Sequence, residues 1–209
     1  MTRSSLAVLA HELRSPVAAL VVIAGAYAEA DETTRARLRA LALDAATSIE
    51  RLLGDPALST YRFERVDLGE IATAAATAAA LGGGVVEVMS AVTLIVEGDP
   101  ARLRQAIDNL IENALGHSPP GVGVVVETHR ASANAFVVVT DEGEGIASVD
   151  LERIFESGVR LTTRRPGSGL GLAVVREIAR AHEGEIEVES VVGHGSSFRL
   201  VLPVASGED

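Results

Sequence analysis

Apolar residues recur every three or four positions over residues 4 to 29, a spacing that predicts one amphipathic helix. A second apolar stripe follows a turn at residues 31 to 33 and ends before Gly54 and Pro56, which commonly stop helices. Two such helices leave their stripes partly exposed, and pairing two hairpins into a four-helix bundle would bury them. The stripe positions are Leu6, Leu9, Leu13, Pro16, Leu20, Ile23 and Tyr27 on the first helix, and Leu38, Leu41, Ala45, Ile49 and Leu52 on the second.

Helical and alternating patterns succeed one another in the rest of the chain. Helices are predicted over 67–81, 99–115 and 170–182, with a short one over 149–155. Strands are predicted over 85–89, 92–96, 122–128, 136–140, 186–189 and 197–202. This order predicts helices layered on one face of a sheet. We therefore expect an α+β protein, with a helical hairpin over 1–57, a linker over 58–65 and a second domain over 66–205.

Composition narrows the classes of function. The net charge of −11 gives the chain little electrostatic reason to bind nucleic acid or an anionic membrane surface. The absence of Cys excludes disulfides, thiolate zinc sites and cysteine nucleophiles. No apolar run approaches the roughly 20 residues of a membrane span, and the first apolar segment is too short for a signal peptide. We expect a soluble, cytoplasmic protein that meets a membrane only through a sensor region outside this chain.

His11 lies on the face of the first predicted helix opposite its apolar stripe, so its side chain is expected to reach solvent. Arg14 and Ser15, three and four residues on, share that face, and Glu12 flanks it. An exposed imidazole beside a carboxylate can act as a nucleophile while the carboxylate accepts a ring proton. Taken alone, these residues are better explained by an ordinary surface histidine before a helix that starts with Ser15 and Pro16.

Two amides and a carboxylate are candidate nucleotide ligands. Asn109 and Asn113 are one helical turn apart, and their amide oxygens suit a Mg²⁺ ion that bridges phosphates. Asp141 follows a predicted strand, where a carboxylate can accept a hydrogen bond from an adenine amino group. Gly143 and Gly145 would let a planar base approach the backbone. Polar residues on an exposed helix and an acidic turn are the ordinary alternatives.

The glycine-rich run over residues 167–172, Gly-Ser-Gly-Leu-Gly-Leu, opens the helix predicted to end at His182. Glycine amides at a helix N-terminus suit a phosphate. The spacing is not that of a dinucleotide-binding fingerprint, and a loop rather than a buried strand precedes it. Taken alone, a glycine-rich helix start is weak support for a nucleotide site.

The run His-Glu-Leu-Arg-Ser-Pro, residues 11–16, closely resembles the phospho-acceptor box of histidine kinases. The other segments follow in the order of that family: Asn-Leu-Ile-Glu-Asn at 109–113, Asp-Glu-Gly-Glu-Gly-Ile at 141–146, Ile-Phe-Glu at 154–156, the glycine run, and Gly-His-Gly-Ser-Ser-Phe at 193–198. The resemblance extends from Leu6 to about Pro203. It implies a dimeric helical hairpin followed by a Bergerat-type α/β sandwich that binds ATP.

The resemblance implies that ATP with Mg²⁺ phosphorylates His11, that Glu12 acts as base, and that the phosphoryl group passes to an aspartate of a response regulator. Ser15, where the family usually has Thr or Asn, would help to dephosphorylate that partner. Asn113 and Asn109 would hold the metal. The implied ATP-binding residues are Asn109, Asn113, His117, Asp141, Gly143, Gly145, Ile146, Arg160, Gly167, Ser168, Gly169, Leu170, Gly171 and Leu172.

Two departures and two alternatives accompany this hypothesis. Gly116 stands where the family usually has a Lys that reaches a phosphate, and the ATP lid, at about 157–166, is short. Arg160, Arg164 or Arg165 are candidates to replace the missing cation. ATPases of the gyrase and chaperone type and serine kinases share the fold, but they generally carry a Glu at the position of Asn109. A non-catalytic dimeric scaffold is the other alternative, and the missing Lys favours it.

Overall fold

The computed structural model describes residues 3–27, 30–31, 34–35, 38–39, 41–42, 45, 49, 61–90, 92–156, 158–159 and 169–205. Side chains are described over the same ranges, apart from residues 3–12, 14, 15 and 90. The chain divides into two compact units, Met1–Thr60 and Tyr61–Asp209. Over these ranges, the chain contains no helix with the length and apolarity needed to cross a membrane.

Helix α1 (Arg3–Tyr27) forms the beginning of the first unit and runs through Pro16. Its described stripe positions are half-buried: Leu13, Pro16, Leu20, Ile23 and Tyr27. A second group of apolar residues on α1 is exposed, with Val17 at 47%, Val21 at 68% and Val22 at 70%. The helix therefore presents an additional apolar surface that the stripe prediction does not include.

The described residues from 34 to 49 are helical. Asp31 accepts a hydrogen bond from the Thr34 N–H at 2.7 Å, as a residue that caps a helix start does. Arg35 and Arg39 each place a guanidinium 5.8 Å from the centre of the Tyr27 ring. Arg39 also donates to the Tyr27 hydroxyl at 2.7 Å. These contacts hold the end of α1 against the helical residues that follow it.

The second unit contains seven strands and three α-helices within its described residues. Two short 3₁₀ turns, Ser148–Asp150 and Arg153–Phe155, precede the last helix. The elements in chain order are β1 (Glu64–Asp67), α2 (Leu68–Leu81), β2 (Val86–Ser90), β3 (Ile95–Gly98), α3 (Pro100–His117), β4 (Val124–Ala131), β5 (Asn134–Asp141), α4 (Gly171–Ala181), β6 (Glu185–Val191) and β7 (Gly195–Pro203).

A five-stranded sheet with the order β2-β4-β5-β7-β6 organises this unit. β2 pairs with β4 in parallel, and the other neighbours are antiparallel. Val137 and Val139 of β5 are fully buried, and they belong to one core with α3 residues such as Ile107 and Leu110. On the other face Arg199 donates to Glu187 at 2.7 Å, in an ion pair that stays partly exposed. Helices therefore cover one face of the sheet, as the sequence predicts.

Asp99 marks the start of α3 and joins it to the segment where the chain enters the second unit. Its Oδ1 accepts the backbone N–H groups of Ala101 and Arg102, at 3.0 and 3.1 Å, and so caps the helix. Its Oδ2 accepts the N–H of Arg62 at 2.8 Å. The rings of Tyr61 and Phe63 flank the buried ring of His182, at centroid distances of 5.6 and 4.9 Å.

The structure differs from the sequence prediction in two elements. The helix predicted over 149–155 is wrong, because two 3₁₀ turns occupy this stretch. Ile154 and Phe155 are buried there while Val149 is 79% exposed, so the apolar contact is too short to support a continuous helix. Strand β1 begins at Glu64, inside the segment predicted as a linker, and pairs antiparallel with β3 in a separate two-stranded sheet.

Candidate nucleotide-binding site

Asp141 ends β5 as a buried carboxylate, with only 3% of its surface exposed. The sheet register pairs it with Ser196 of β7. Its Oδ1 accepts the Gly143 N–H at 2.7 Å. Burial raises the pKa of Asp141, and the N–H groups of Gly143 and Ser196 oppose that shift. The result is a carboxylate with little access to water and further capacity to accept hydrogen bonds.

The loop after Asp141 packs too closely to accommodate side chains at its glycines. A Cβ atom on Gly143 would lie 2.5 Å from the His117 carbonyl oxygen. Gly145 has φ +69°, and a Cβ there would lie 2.2 Å from the Val191 oxygen. The loop therefore sits between the end of α3 and the β6–β7 hairpin, in a backbone conformation that favours glycine.

Three candidate residues of α3, Asn109, Asn113 and His117, follow one another at intervals of a helical turn and are all half-buried. The Asn109 amide donates to the Gly171 carbonyl at 3.4 Å, where α4 begins. His117 Nδ1 lies 3.4 Å from a carboxylate oxygen of Glu144. One helix thus contacts both glycine-containing segments that the sequence singles out.

Helix α4 begins at Gly171, one residue later than predicted. Gly169 has φ +67°, and its carbonyl accepts the Gly158 N–H at 3.1 Å. Leu170 precedes the helix, and its carbonyl accepts the Val174 N–H at 2.9 Å. Leu172 packs, half-buried, against the core.

Ile146 also packs, half-buried, against the core, at the end of the Asp141 loop. The remaining candidates of this unit, Arg160, Gly167 and Ser168, lie outside the described residues, as do Arg164 and Arg165. The three candidates of the first unit, His11, Glu12 and Ser15, lie on α1, but their side chains are outside the described ones.

Ser190 and Ser196 belong to the surroundings of Asp141, although the sequence analysis does not identify them. Ser190 accepts the Ile146 N–H at 2.8 Å and donates to the Gly195 carbonyl at 2.9 Å. The Ser190 and Ser196 hydroxyl oxygens are 3.0 Å apart. A serine in a strand has no sequence signature of its own. The two serines are brought together by the hairpin register, which pairs them with each other.

A buried carboxylate at a strand end, a tight glycine loop and a glycine-rich helix start, all on a sheet covered by helices on one face, define an ATP-binding α/β sandwich. Residues 98–206 match the family model described as histidine kinase-, DNA gyrase B- and HSP90-like ATPase. The chain therefore belongs to this family, and its relatives place it with the sensor histidine kinases.

The sensor-like histidine kinase SenX3 of Mycobacterium tuberculosis is 35% identical over 219 residues, which cover 96% of this chain and 53% of the relative. The adaptive-response sensory kinase SasA of Synechococcus sp. (strain JA-3-3Ab) is 44% identical over 112 residues, which cover 52% of this chain and 30% of the relative. The chain thus spans about half, or less, of the length of these curated relatives.

Two solved structures are similar to the fold. The mycobacterial sensor histidine kinase MprB matches with a TM-score of 0.62 and 31% identity, over 68% of this chain and 98% of that one. Full-length ShkA in complex with AMPPNP matches with a TM-score of 0.75 and 23% identity, over 100% of this chain and 47% of that one. At its level of identity, ShkA supports the fold alone. The ATP-binding sandwich predicted from the sequence is confirmed, while the N-terminal hairpin stays a prediction.

Proposed function

We propose that this chain is the kinase core of a two-component system, in which ATP phosphorylates His11 and the phosphoryl group then passes to an aspartate of a response regulator. The observation that carries this proposal is the extent of the likeness to SenX3. It covers 96% of the chain and therefore includes both the His11 box and the ATP-binding unit. The domain limits 1–57 and 66–205 and a homodimer formed through a helical hairpin belong to the same proposal.

In this proposal Asp141 accepts a hydrogen bond from the adenine amino group. Its burial supports the assignment, because a poorly hydrated carboxylate loses little water when it binds a ligand. The close packing of Gly143 and Gly145 leaves the base free to lie against the backbone. The N-terminus of α4 follows Gly169, and the backbone N–H groups of a helix start suit the phosphates.

Asn113 and Asn109 would hold a Mg²⁺ ion. The donor set fits this ion: Asn109 uses its amide N–H toward Gly171, which leaves the amide oxygen available as a ligand. In the described residues no three His, Asp or Glu side chains form a metal cluster, so the ion would depend on neutral oxygens and on the charge of the nucleotide. When bound, the ion neutralises phosphate charge during transfer.

The proposed reaction transfers one phosphoryl group from ATP to His11 and then to the partner's aspartate. A ring nitrogen of His11 attacks the γ-phosphorus of ATP, the bond from that phosphorus to the β,γ-bridging oxygen breaks, and ADP leaves. Glu12 accepts the proton of the other ring nitrogen, which makes the imidazole a better nucleophile. The N–P bond is later broken by the aspartate of the partner, which becomes an acyl phosphate. Ser15 would take part in hydrolysis of that acyl phosphate.

Incubation of the chain with γ-labelled ATP and Mg²⁺ tests this function. We expect a protein-bound phosphate that is labile to acid and stable to base. His11→Gln should abolish labelling while ADP binding is retained, and His129→Gln, on an exposed strand end, should label normally. Labelling that persists in His11→Gln would overturn the acceptor assignment. A chain that binds ADP and never acquires label would instead be the inactive scaffold.

A further inference from the structure

Ser190 of β6 joins two parts of the Asp141 surroundings through one hydroxyl group. It contacts Ile146 at the end of the glycine loop, Gly195 at the start of β7, and the Ser196 hydroxyl beside Asp141. All three contacts are between 2.8 and 3.0 Å. The Ser190 oxygen therefore has a full set of hydrogen-bond partners.

The direction of each hydrogen bond follows from the chemistry of a hydroxyl, which has one proton and two lone pairs. Ser190 gives its proton to the Gly195 carbonyl, and one lone pair accepts the Ile146 N–H. The contact with Ser196 must then use the second lone pair, so Ser196 is the donor. Because the Ser196 hydroxyl donates its proton to Ser190, its oxygen can only accept hydrogen bonds from any other group.

Ser196 is 7% exposed and stands opposite Asp141 in the sheet register. The Ser196 N–H also opposes the rise in the pKa of Asp141. Two acceptors, a carboxylate and a hydroxyl oxygen of fixed direction, thus stand at directly opposed positions on one face of the sheet. An exocyclic amino group carries two N–H donors and can satisfy both, directly or through one ordered water. A 6-oxo purine offers one donor, its N1–H, beside an acceptor, its 6-oxygen, so one of the two buried acceptors would face another acceptor, a mismatch that binding sites reject strongly.

We propose that Ser190 is a positioning residue that fixes the Ser196 hydroxyl as an acceptor and so makes the pocket select 6-amino over 6-oxo purine nucleotides. The inference rests on the proposed function, because it takes Asp141 as the adenine ligand. Without the Ser190 hydroxyl, Ser196 is free to rotate and to donate, and the Ile146 N–H loses its partner. Both changes weaken discrimination at the purine 6-position.

Calorimetric titration of the full chain with ADP and, separately, with inosine diphosphate tests the proposal. Ser190→Ala should weaken ADP binding about 3- to 10-fold, the range for one neutral hydrogen bond, and reduce the preference for ADP over inosine diphosphate by a similar factor. Ser190→Thr keeps the hydroxyl and should retain the preference. Ser197→Ala is the matched control: its hydroxyl contacts Thr140 at 3.1 Å on the other face of the same hairpin, so the preference should not change.

The ratio of the two affinities is measured on one preparation and does not depend on the folded fraction. Ser196→Ala, which removes the same acceptor directly, should lower the ratio as Ser190→Ala does. Equal loss of affinity for both nucleotides in Ser190→Ala would show a structural role only and overturn the inference. Affinities of Ser190→Ala for both nucleotides that equal those of the wild type would overturn it too, while the proposed function stands. A wild-type chain that binds neither nucleotide would instead overturn the proposed function.

Discussion

The Nε2 atom of His182, at the end of α4, accepts a hydrogen bond from the backbone N–H of Asp99 at 3.0 Å. On the other side of the ring, Nδ1 lies 2.7 Å from the Ile178 carbonyl oxygen. Because a carbonyl only accepts, Nδ1 carries the proton and the ring is held neutral in one tautomer. His182 is 2% exposed, and burial lowers its pKa. A buried, neutral histidine thus ties α4 to the start of α3.

We expect the stability of the second unit to fall in mildly acidic solution because of His182. Its pKa is 6.5 in the unfolded chain and lower in the folded one, so below about pH 6.5 the unfolded state takes up the proton first. The free energy of unfolding therefore decreases as the pH falls from about 7 toward 5. Chemical denaturation at several pH values measures this decrease.

His182→Gln should remove most of that dependence on pH and lower stability at pH 7, by about 1–3 kcal/mol if the Asp99 N–H or the Ile178 carbonyl is left unpaired. His129→Gln is the control, since His129 is exposed. A slope between pH 7 and pH 5 that is the same in wild type and His182→Gln would contradict this prediction.

Asp141→Ala should weaken ADP binding by about 1–3 kcal/mol, because the adenine amino group would be left unpaired in a buried site. Burial raises the pKa of Asp141 above its ordinary 3.8, so the carboxylate becomes protonated at a higher pH than a surface aspartate. ADP affinity should accordingly fall as the pH approaches that raised pKa from above. Asp108→Ala, which removes a surface partner of Arg104, should bind ADP normally. Unchanged affinity in Asp141→Ala would remove this residue from the site.

Gly116→Lys should strengthen nucleotide binding several-fold. A Cβ atom at Gly116 would meet nothing within 4 Å, so the last turn of α3 accommodates a side chain there. The added ammonium group would stand where related kinases place a cation near the phosphates, and its benefit should shrink as salt is raised. Gly116→Ala is the matched control. It stabilises the helix by about 1 kcal/mol through the higher helix propensity of Ala, but it adds no charge. Equal ADP affinities of the Lys and Ala variants would show that no phosphate lies within reach.

The exposed apolar residues of α1 should form the contact between two copies of the chain. Val17 and Val21 are one turn apart, and their exposure contrasts with the half-buried Leu20. Val21→Asp should therefore dissociate the dimer, as measured by sedimentation velocity at micromolar concentration. Ala19→Asp, at an exposed position on another side of the helix, should leave it intact. A dimer that tolerates Val21→Asp would place the interface elsewhere.

Periodicity in the sequence predicts the elements that bury many residues, such as α3 and β5, to within a few positions. It does not predict β1, whose four residues are mostly polar and whose partner β3 is remote in sequence. The positions of Asp141 and its glycines were predictable, because a carboxylate after a buried strand is conspicuous.

The features that the sequence did not predict depend on tertiary contacts. Ser190 and His182 have no local signature, since a serine in a strand and a histidine after a helix are ordinary surface residues. Burial gives them their roles: Ser190 is tied to Ser196 through the hairpin, and His182 is enclosed by the segment around Phe63. On α1 the stripe prediction located the half-buried side correctly but did not anticipate the exposed Val21.

The two oxygens of Asp99 have a mechanical consequence. One holds the first turn of α3 and the other holds the peptide N–H of Arg62, so a pull on the chain at residue 61 is borne first by this carboxylate. The load then passes along the axis of α3, the helix that carries Asn109 and Asn113. Tension on the chain that enters the second unit is therefore passed to the helix that carries the proposed metal ligands.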